Sequence, residues 1–193
     1  MKGILNGTSV YLSGPIENVG DGSDWRSAIS PHLQEMGVKV MNPLEKPAWL
    51  RRASKVDGPK QAEQRKILLQ GCPEGNYDEI YQTQKEIRDM GIRLAYASDW
   101  MICRLPRQET VGTYEEIKIA KECGKPCFFW CPDGLFSMWL FAMFATSESD
   151  SWRDIFFDDW ESLHDYLKKI NACEVPINSM EWIFVTYFLE ANQ

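Results

Sequence analysis

The chain has 193 residues, enough for one domain with a sizeable core, and its 44% hydrophobic and 25% charged residues are those of a globular protein. A net charge of -7 removes any general attraction to a phosphodiester backbone, so polymeric nucleic acid is not an expected partner. MKGILNGTSVYLSG at the start lacks signal-peptide form and GLFSMWLFAMFA, residues 134–145, is too short to span a bilayer, so a cytoplasmic protein without membrane contact is expected.

In chain order, TSVYLSG (8–14) alternates, is rich in β-formers and closes on Gly14-Pro15, which predicts a strand ending in a turn. SDWRSAISPHLQEMG (23–37) predicts a helix. Ser23 or Asp24 can cap it, Trp25, Ile29, Leu33 and Met36 recur at helical spacing, and Gly37 stops it; Pro31 is an interior blemish. VKVMNP (38–43) is a second strand. Residues 44–76 carry Pro47, Pro59, Pro73 and Arg51-Arg52, with a short helical stretch near 60–70; they read either as a lid at the carboxyl ends of the strands or as a solvated insert.

A helix follows at 77–97, weakened at Gly91, then a third strand at 99–105, a helix at 112–123, a fourth strand at 126–131 and a fifth at 154–157. DWESLHDYLKKIN (159–171) is an amphipathic helix whose Lys168-Lys169 suit its carboxyl end, and 178–191 is a last helix or mixed segment. Strands alternating with helices imply one α/β domain over 1–193, a flavodoxin-like, doubly wound parallel sheet of five strands with helices on both faces and a helical carboxyl-terminal part at about 159–193. Such sheets bind ligands at the carboxyl ends of their strands.

Cys123, Cys127 and Cys131 have an even spacing, but Gly124-Lys125-Pro126 ends the helix between the first two, so the three would not converge on a metal. The six cysteines read as reduced thiols. There is no Gly-rich dinucleotide fingerprint and no P-loop, and His32 and His164 lack partner spacing. Chemistry here must rest on carboxylates, a tyrosine and backbone amides, with no metal or organic cofactor.

VGTYEEIKIAKECGKPCFFW (111–130) concentrates the candidates. Gly112-Thr113 before a helix presents free N–H groups, and Glu115 and Glu116 are placed in the first turn, where the dipole lowers a carboxylate's pKa. Two readings are open: helix amino-terminal charge, or a nucleophile at the mouth of the sheet.

VYLSGPI on the first strand, ASDW opening a later one, and VGTYEEIKIAKECGKPC together resemble the nucleoside 2-deoxyribosyltransferase family and its relatives, the nucleoside 5'-monophosphate N-glycosidases, over roughly residues 8–131. The resemblance implies Glu116 as nucleophile, Tyr11 as the hydroxyl that holds it and Asp99 as the acid that handles the nucleobase proton. It implies Gly14 as the place where backbone approaches the sugar, Ser13, Pro15, Gly112 and Thr113 as further substrate-binding residues, and a retaining mechanism through a glycosyl-enzyme. Six residues before the nucleophile, transferases of free nucleosides carry an Asp, where this chain has Thr110; a hydroxyl beside a 5'-phosphate donates to it, where a carboxylate would repel it. Arg26, Arg104 and Arg107 are candidates to pair with that phosphate.

The family completes its site from a neighbouring subunit, so a homodimer or higher homo-oligomer is implied; Asn171, Asn178 and Ser137 are candidates for the contributed residue. The expected ligand is a small nucleoside or nucleotide. An NAD-type glycohydrolase and a non-catalytic nucleotide sensor are the rival readings.

Overall fold

Five short runs of β-forming residues pair side by side, and the rest of the fold follows from their alternation. The protein's structure, a computed structural model, describes residues 3–15, 25–45, 66–68, 77–107, 111–134, 137–144 and 154–175. The strands are β1 (Ser9–Ser13), β2 (Lys39–Met41), β3 (Trp100–Arg104), β4 (Cys127–Trp130) and β5 (Phe156–Phe157). They form one sheet in the order β2-β1-β3-β4-β5, with all four pairings parallel. The order reverses direction between β1 and β3, and at such a switch point sheets of this kind bind ligands outside the carboxyl ends of their strands.

The helices are α1 (Trp25–Glu35), α2 (Tyr77–Ala97), α3 (Val111–Glu122), α4 (Met138–Phe144) and α5 (Trp160–Asn171). Side chains of a strand point alternately to its two faces, and here both faces are covered. Val10, Leu12, Trp100, Ile102 and Phe128 meet Trp25, Ile29 and Leu33 of α1 and Trp160, Leu163 and Leu167 of α5. Tyr11, Met101, Cys103, Cys127 and Phe129 turn the other way, onto Ala95 of α2, Ile117 and Ala120 of α3, and Leu140 and Phe144 of α4. Each fully enclosed Leu, Ile or Phe contributes about 1.5–3 kcal/mol by leaving water.

Local chemistry explains the helix ends. Asp159 caps α5 by accepting from the Ser162 N–H at 2.7 Å. Lys125 Nζ donates to the carbonyls of Ala95 (2.8 Å), Tyr96 (2.5 Å) and Ser98, so the GKP turn neutralises the carboxyl end of α2. α1 runs unbroken through Pro31.

Among the described residues, the five predicted strands and the helices predicted at 23–37, 77–97, 112–123 and 159–171 are present, most of them one or two residues shorter than their patterns. Within the insert, residues 66–68 are helical; the lid reading and the segment 178–191 lie otherwise outside the described residues. No helix among the described residues is long and apolar enough to cross a membrane. Cys123 is exposed while Cys127 and Cys131 are buried.

Candidate active site

Tyr11 and Ser13 share one face of β1, because they are two residues apart, and that face carries α3. From α3, Glu116 reaches down to both. The Tyr11 hydroxyl donates to Glu116 Oε1 at 2.7 Å, and the Ser13 hydroxyl donates to Oε2 at 2.5 Å. Tyr11 and Ser13 are 1% and 0% exposed, so their donors have no competing water. Each carboxylate oxygen accepts one hydrogen bond and keeps a further lone pair.

Two expectations about this carboxylate change. α3 spans Val111–Glu122 and has no acidic residue in its first turn, so Glu115 and Glu116 lie in the second, beyond the strongest reach of the dipole. Burial instead pushes the Glu116 pKa up, while the hydrogen bonds from Ser13 and Tyr11 and the charge of Arg26 pull it down. Burial and the Glu116 anion likewise raise the Tyr11 pKa well above the phenol value, which keeps its proton available to donate. Glu115 faces away and forms an exposed two-pronged pair with Arg88 of α2, whose Nε donates to Oε2 at 2.8 Å.

α2 passes close to the carboxylate at Gly91. A β-carbon there would lie 2.5 Å from Glu116 Oε1 and 3.4 Å from the Tyr11 hydroxyl. The glycine that weakens the helical pattern thus gives the carboxylate its room.

Asp99 does not join this cluster. Its Oδ2 accepts from the N–H of Ser9 at 2.7 Å and from the Ser9 hydroxyl at 2.8 Å. Ser9 opens β1 and Ser13 closes it, so along the strand Asp99 sits about 13 Å from the end where Ser13 holds Glu116. The expected nucleobase acid is therefore a clasp between the amino ends of β1 and β3. Strand direction carried that signal: in a parallel sheet a residue that leads a strand lies at the opposite edge from one that follows it.

The other expected residues divide. Ser13, expected to bind substrate, is an enclosed donor to Glu116. Gly14 and Pro15 form the turn at the end of β1, and a β-carbon on Gly14, whose φ is +155°, would meet the Arg104 carbonyl oxygen at 2.9 Å. Arg26 is 1% exposed, and its Nε and Nη2 donate to the carbonyls of Leu12 (3.0 Å) and Gly14 (2.6 Å). It braces that turn from behind, which corrects its reading as a phosphate partner. Gly112 has open space around it, whereas Thr113 is buried. Thr110 lies outside the described residues, as does Asn178. Asn171 Oδ1 accepts from the Leu5 N–H at 2.9 Å and the Ser137 hydroxyl accepts from the Leu140 N–H at 3.2 Å, so both serve their own chain.

A five-stranded parallel sheet of this order, with a carboxylate held at its carboxyl edge, is a flavodoxin-like α/β fold. Among solved structures it is similar to the 2-deoxyribosyltransferase of the psychrotolerant bacterium Bacillus psychrosaccharolyticus, a biocatalyst for nucleoside synthesis. The two share 15% identity with a TM-score of 0.51, over 82% of this chain and 91% of that one. The 2-desoxiribosyltransferase of Leishmania mexicana also matches, at 15% identity over 83% of this chain and 96% of that one, with a TM-score of 0.48. At this identity the likeness is one of fold. No protein-family model matches the sequence, and no curated protein does.

Proposed function

We propose that the protein is an enzyme that cleaves or exchanges the N-glycosidic bond of a nucleoside or nucleoside 5'-monophosphate, with Glu116 as nucleophile. The observation that carries this reading is the Glu116 carboxylate at the carboxyl edge, gripped through both oxygens by Tyr11 and Ser13. A helix-end charge needs no such grip. A carboxylate that must meet one carbon along one line does, because reaction depends on holding the attacking atom in place.

In this scheme a lone pair of Glu116 attacks C1' while the bond from C1' to the base nitrogen breaks, its electron pair leaving with the base. The result is a glycosyl ester of Glu116. Water then attacks C1' as its bond to Glu116 breaks, giving the sugar or its 5-phosphate, or a second base attacks to give a new nucleoside or nucleotide; the proton lost by the attacking group balances the one that the departed base anion takes up from solvent, and the carboxylate is released unchanged. The two hydroxyl donors stabilise the carboxylate as leaving group in that second step. Asp99 has no part in the scheme, since it lies at the other edge. A homo-oligomer and a cytoplasmic location remain part of the proposal.

The test is chromatographic. The protein is incubated with ribo- and deoxynucleosides, their 5'-monophosphates and NAD, with and without a second free base, beside Glu116→Gln. Base released or exchanged by the wild type and not by the variant is the expected result. No turnover of any nucleoside, nucleotide or NAD by the wild type would leave a binding protein instead.

A further inference from the structure

We propose that Cys103 is a positioning residue for Glu116 that acts through Ser13: its thiol donates to the Ser13 hydroxyl oxygen and so commits the one Ser13 proton to the carboxylate. This deepens the glycosidic reading and rests on it for the use to which the carboxylate is put.

Ser13 ends β1, and Cys103 is its register partner on β3. Register partners on neighbouring strands stand side by side, about 4.8 Å apart, with their side chains on one face. That face is the one that carries Tyr11 and the buried side of α3. Ser13 and Cys103 are both 0% exposed, so bulk water reaches neither group. On its other side Cys103 pairs with Phe129, whose side chain offers no acceptor oxygen.

A serine hydroxyl has one proton to give and two lone pairs with which to accept. Ser13 gives its proton to Glu116 Oε2 at 2.5 Å. In its hydrogen bond with Cys103 the hydroxyl oxygen therefore accepts and the thiol donates. The hydrogen-bond chain runs from Cys103 Sγ to Ser13 Oγ to Glu116 Oε2. A thiol serves this way only while it keeps its proton. Burial pushes the Cys103 thiol well above its ordinary value, and the nearby Cys127, Glu116 and Cys131 add to this against the bond with Ser13. Cys127 supplies the contrast: it is also buried, but its thiol donates to the Lys125 carbonyl at 3.5 Å.

Hydrogen bonds in series polarise one another, so a thiol behind Ser13 strengthens the bond from Ser13 to the carboxylate. It also fills a buried lone pair and removes the freedom of the hydroxyl to turn away. Among the described residues, the groups that face Glu116 are Tyr11 and Ser13 of β1, Arg26 of α1, Cys103 of β3 and Glu115 of its own helix, while α2 presents Gly91. Of these, Cys103 alone reaches the carboxylate through another side chain's proton.

The test reads Glu116 itself. Its carboxylate is titrated by infrared spectroscopy in the full chain without substrate, assigned by difference from Glu116→Gln. The samples are the wild type, Cys103→Val, Cys103→Ala and Cys103→Ser, and Ser13→Ala with and without Cys103→Val. Loss of the donor in Cys103→Val or Cys103→Ala should move the Glu116 midpoint up by roughly 0.3–0.7 of a pH unit. Cys103→Ser keeps a donor and should leave the midpoint at or below that of the wild type. In the Ser13→Ala background Cys103→Val should add no further shift, because its route to the carboxylate is gone. The Raman S–H band of Cys103 in the wild type, assigned by its loss in any one variant, should lie at the lowered frequency of a thiol that donates. A midpoint indifferent to Cys103→Val and Cys103→Ala, or one that moves equally without Ser13, overturns the proposal, as does an S–H band at the frequency of a free thiol. A packing role alone gives a different pattern: Cys103→Val is tolerated, Cys103→Ser destabilises, and the titration stays in place. None of this needs turnover. The expected titration in a protein that releases no base keeps the hydrogen-bond chain and removes the glycosidic reading, whereas base release with a midpoint indifferent to Cys103 does the opposite.

Discussion

Gly91 of α2 and Glu116 of α3 approach so closely that a β-carbon on the first would sit 2.5 Å from a carboxylate oxygen of the second. The oxygen is the tip of a flexible side chain, so an added methyl displaces it instead of bursting the core. Gly91→Ala gains about 1 kcal/mol of helix propensity and weakens the bond from Tyr11. The two effects nearly cancel, and the melting temperature should move by only a few degrees. Turnover should fall at least about tenfold because the carboxylate is turned from its line. Parallel melting and base-release assays check this, and undiminished turnover would separate Gly91 from the chemistry.

Tyr11→Phe and Ser13→Ala each remove a donor that favours the ionised form of Glu116. Either change raises a pKa that burial has already raised, and the double variant raises it further. The acid limb of the rate profile should move to higher pH in that order. A limb that stays in place would show that another group controls it.

Glu116 also couples to stability. Its pKa is higher in the folded chain than in the unfolded one, so the folded chain holds the proton longer. The stability this contributes is fully present below the unfolded carboxyl value and is lost as pH rises through the folded one. Glu116→Gln is neutral throughout and escapes that loss. Its melting temperature relative to wild type should climb across this window and then level off. A difference independent of pH would contradict the raised pKa.

Asp99→Asn should cost stability and spare chemistry. Its carboxylate accepts twice from Ser9 at the amino edge, and weakening that clasp costs about 1–2 kcal/mol. Turnover should stay within about threefold of wild type, against a loss of several orders of magnitude for Glu116→Gln. Denaturant unfolding beside the activity assay separates the two, and a collapse of turnover in Asp99→Asn would restore it to the site.

By itself the sequence determined the alternation of strands and helices, the parallel sheet, and the pairing of Tyr11 with Glu116 that the family resemblance implied. Alternation at period two, helical spacing and Gly-Pro punctuation are local signals, and each element needs only its own residues and a neighbour to cover it. The tertiary structure alone decided what depends on distance and direction. It moved Glu116 from the first to the second turn of α3, and burial reversed the expected direction of its pKa. It made Ser13 the second grip on Glu116, spent Arg26 on backbone carbonyls and left the Arg104 Nε enclosed without an acceptor among the described residues. It placed Asp99 at the far edge and explained Gly91 by a carboxylate from another helix. Pairs such as Ser13 with Glu116 lie about a hundred residues apart, and only the packing of α3 on β1 brings their atoms within bonding range.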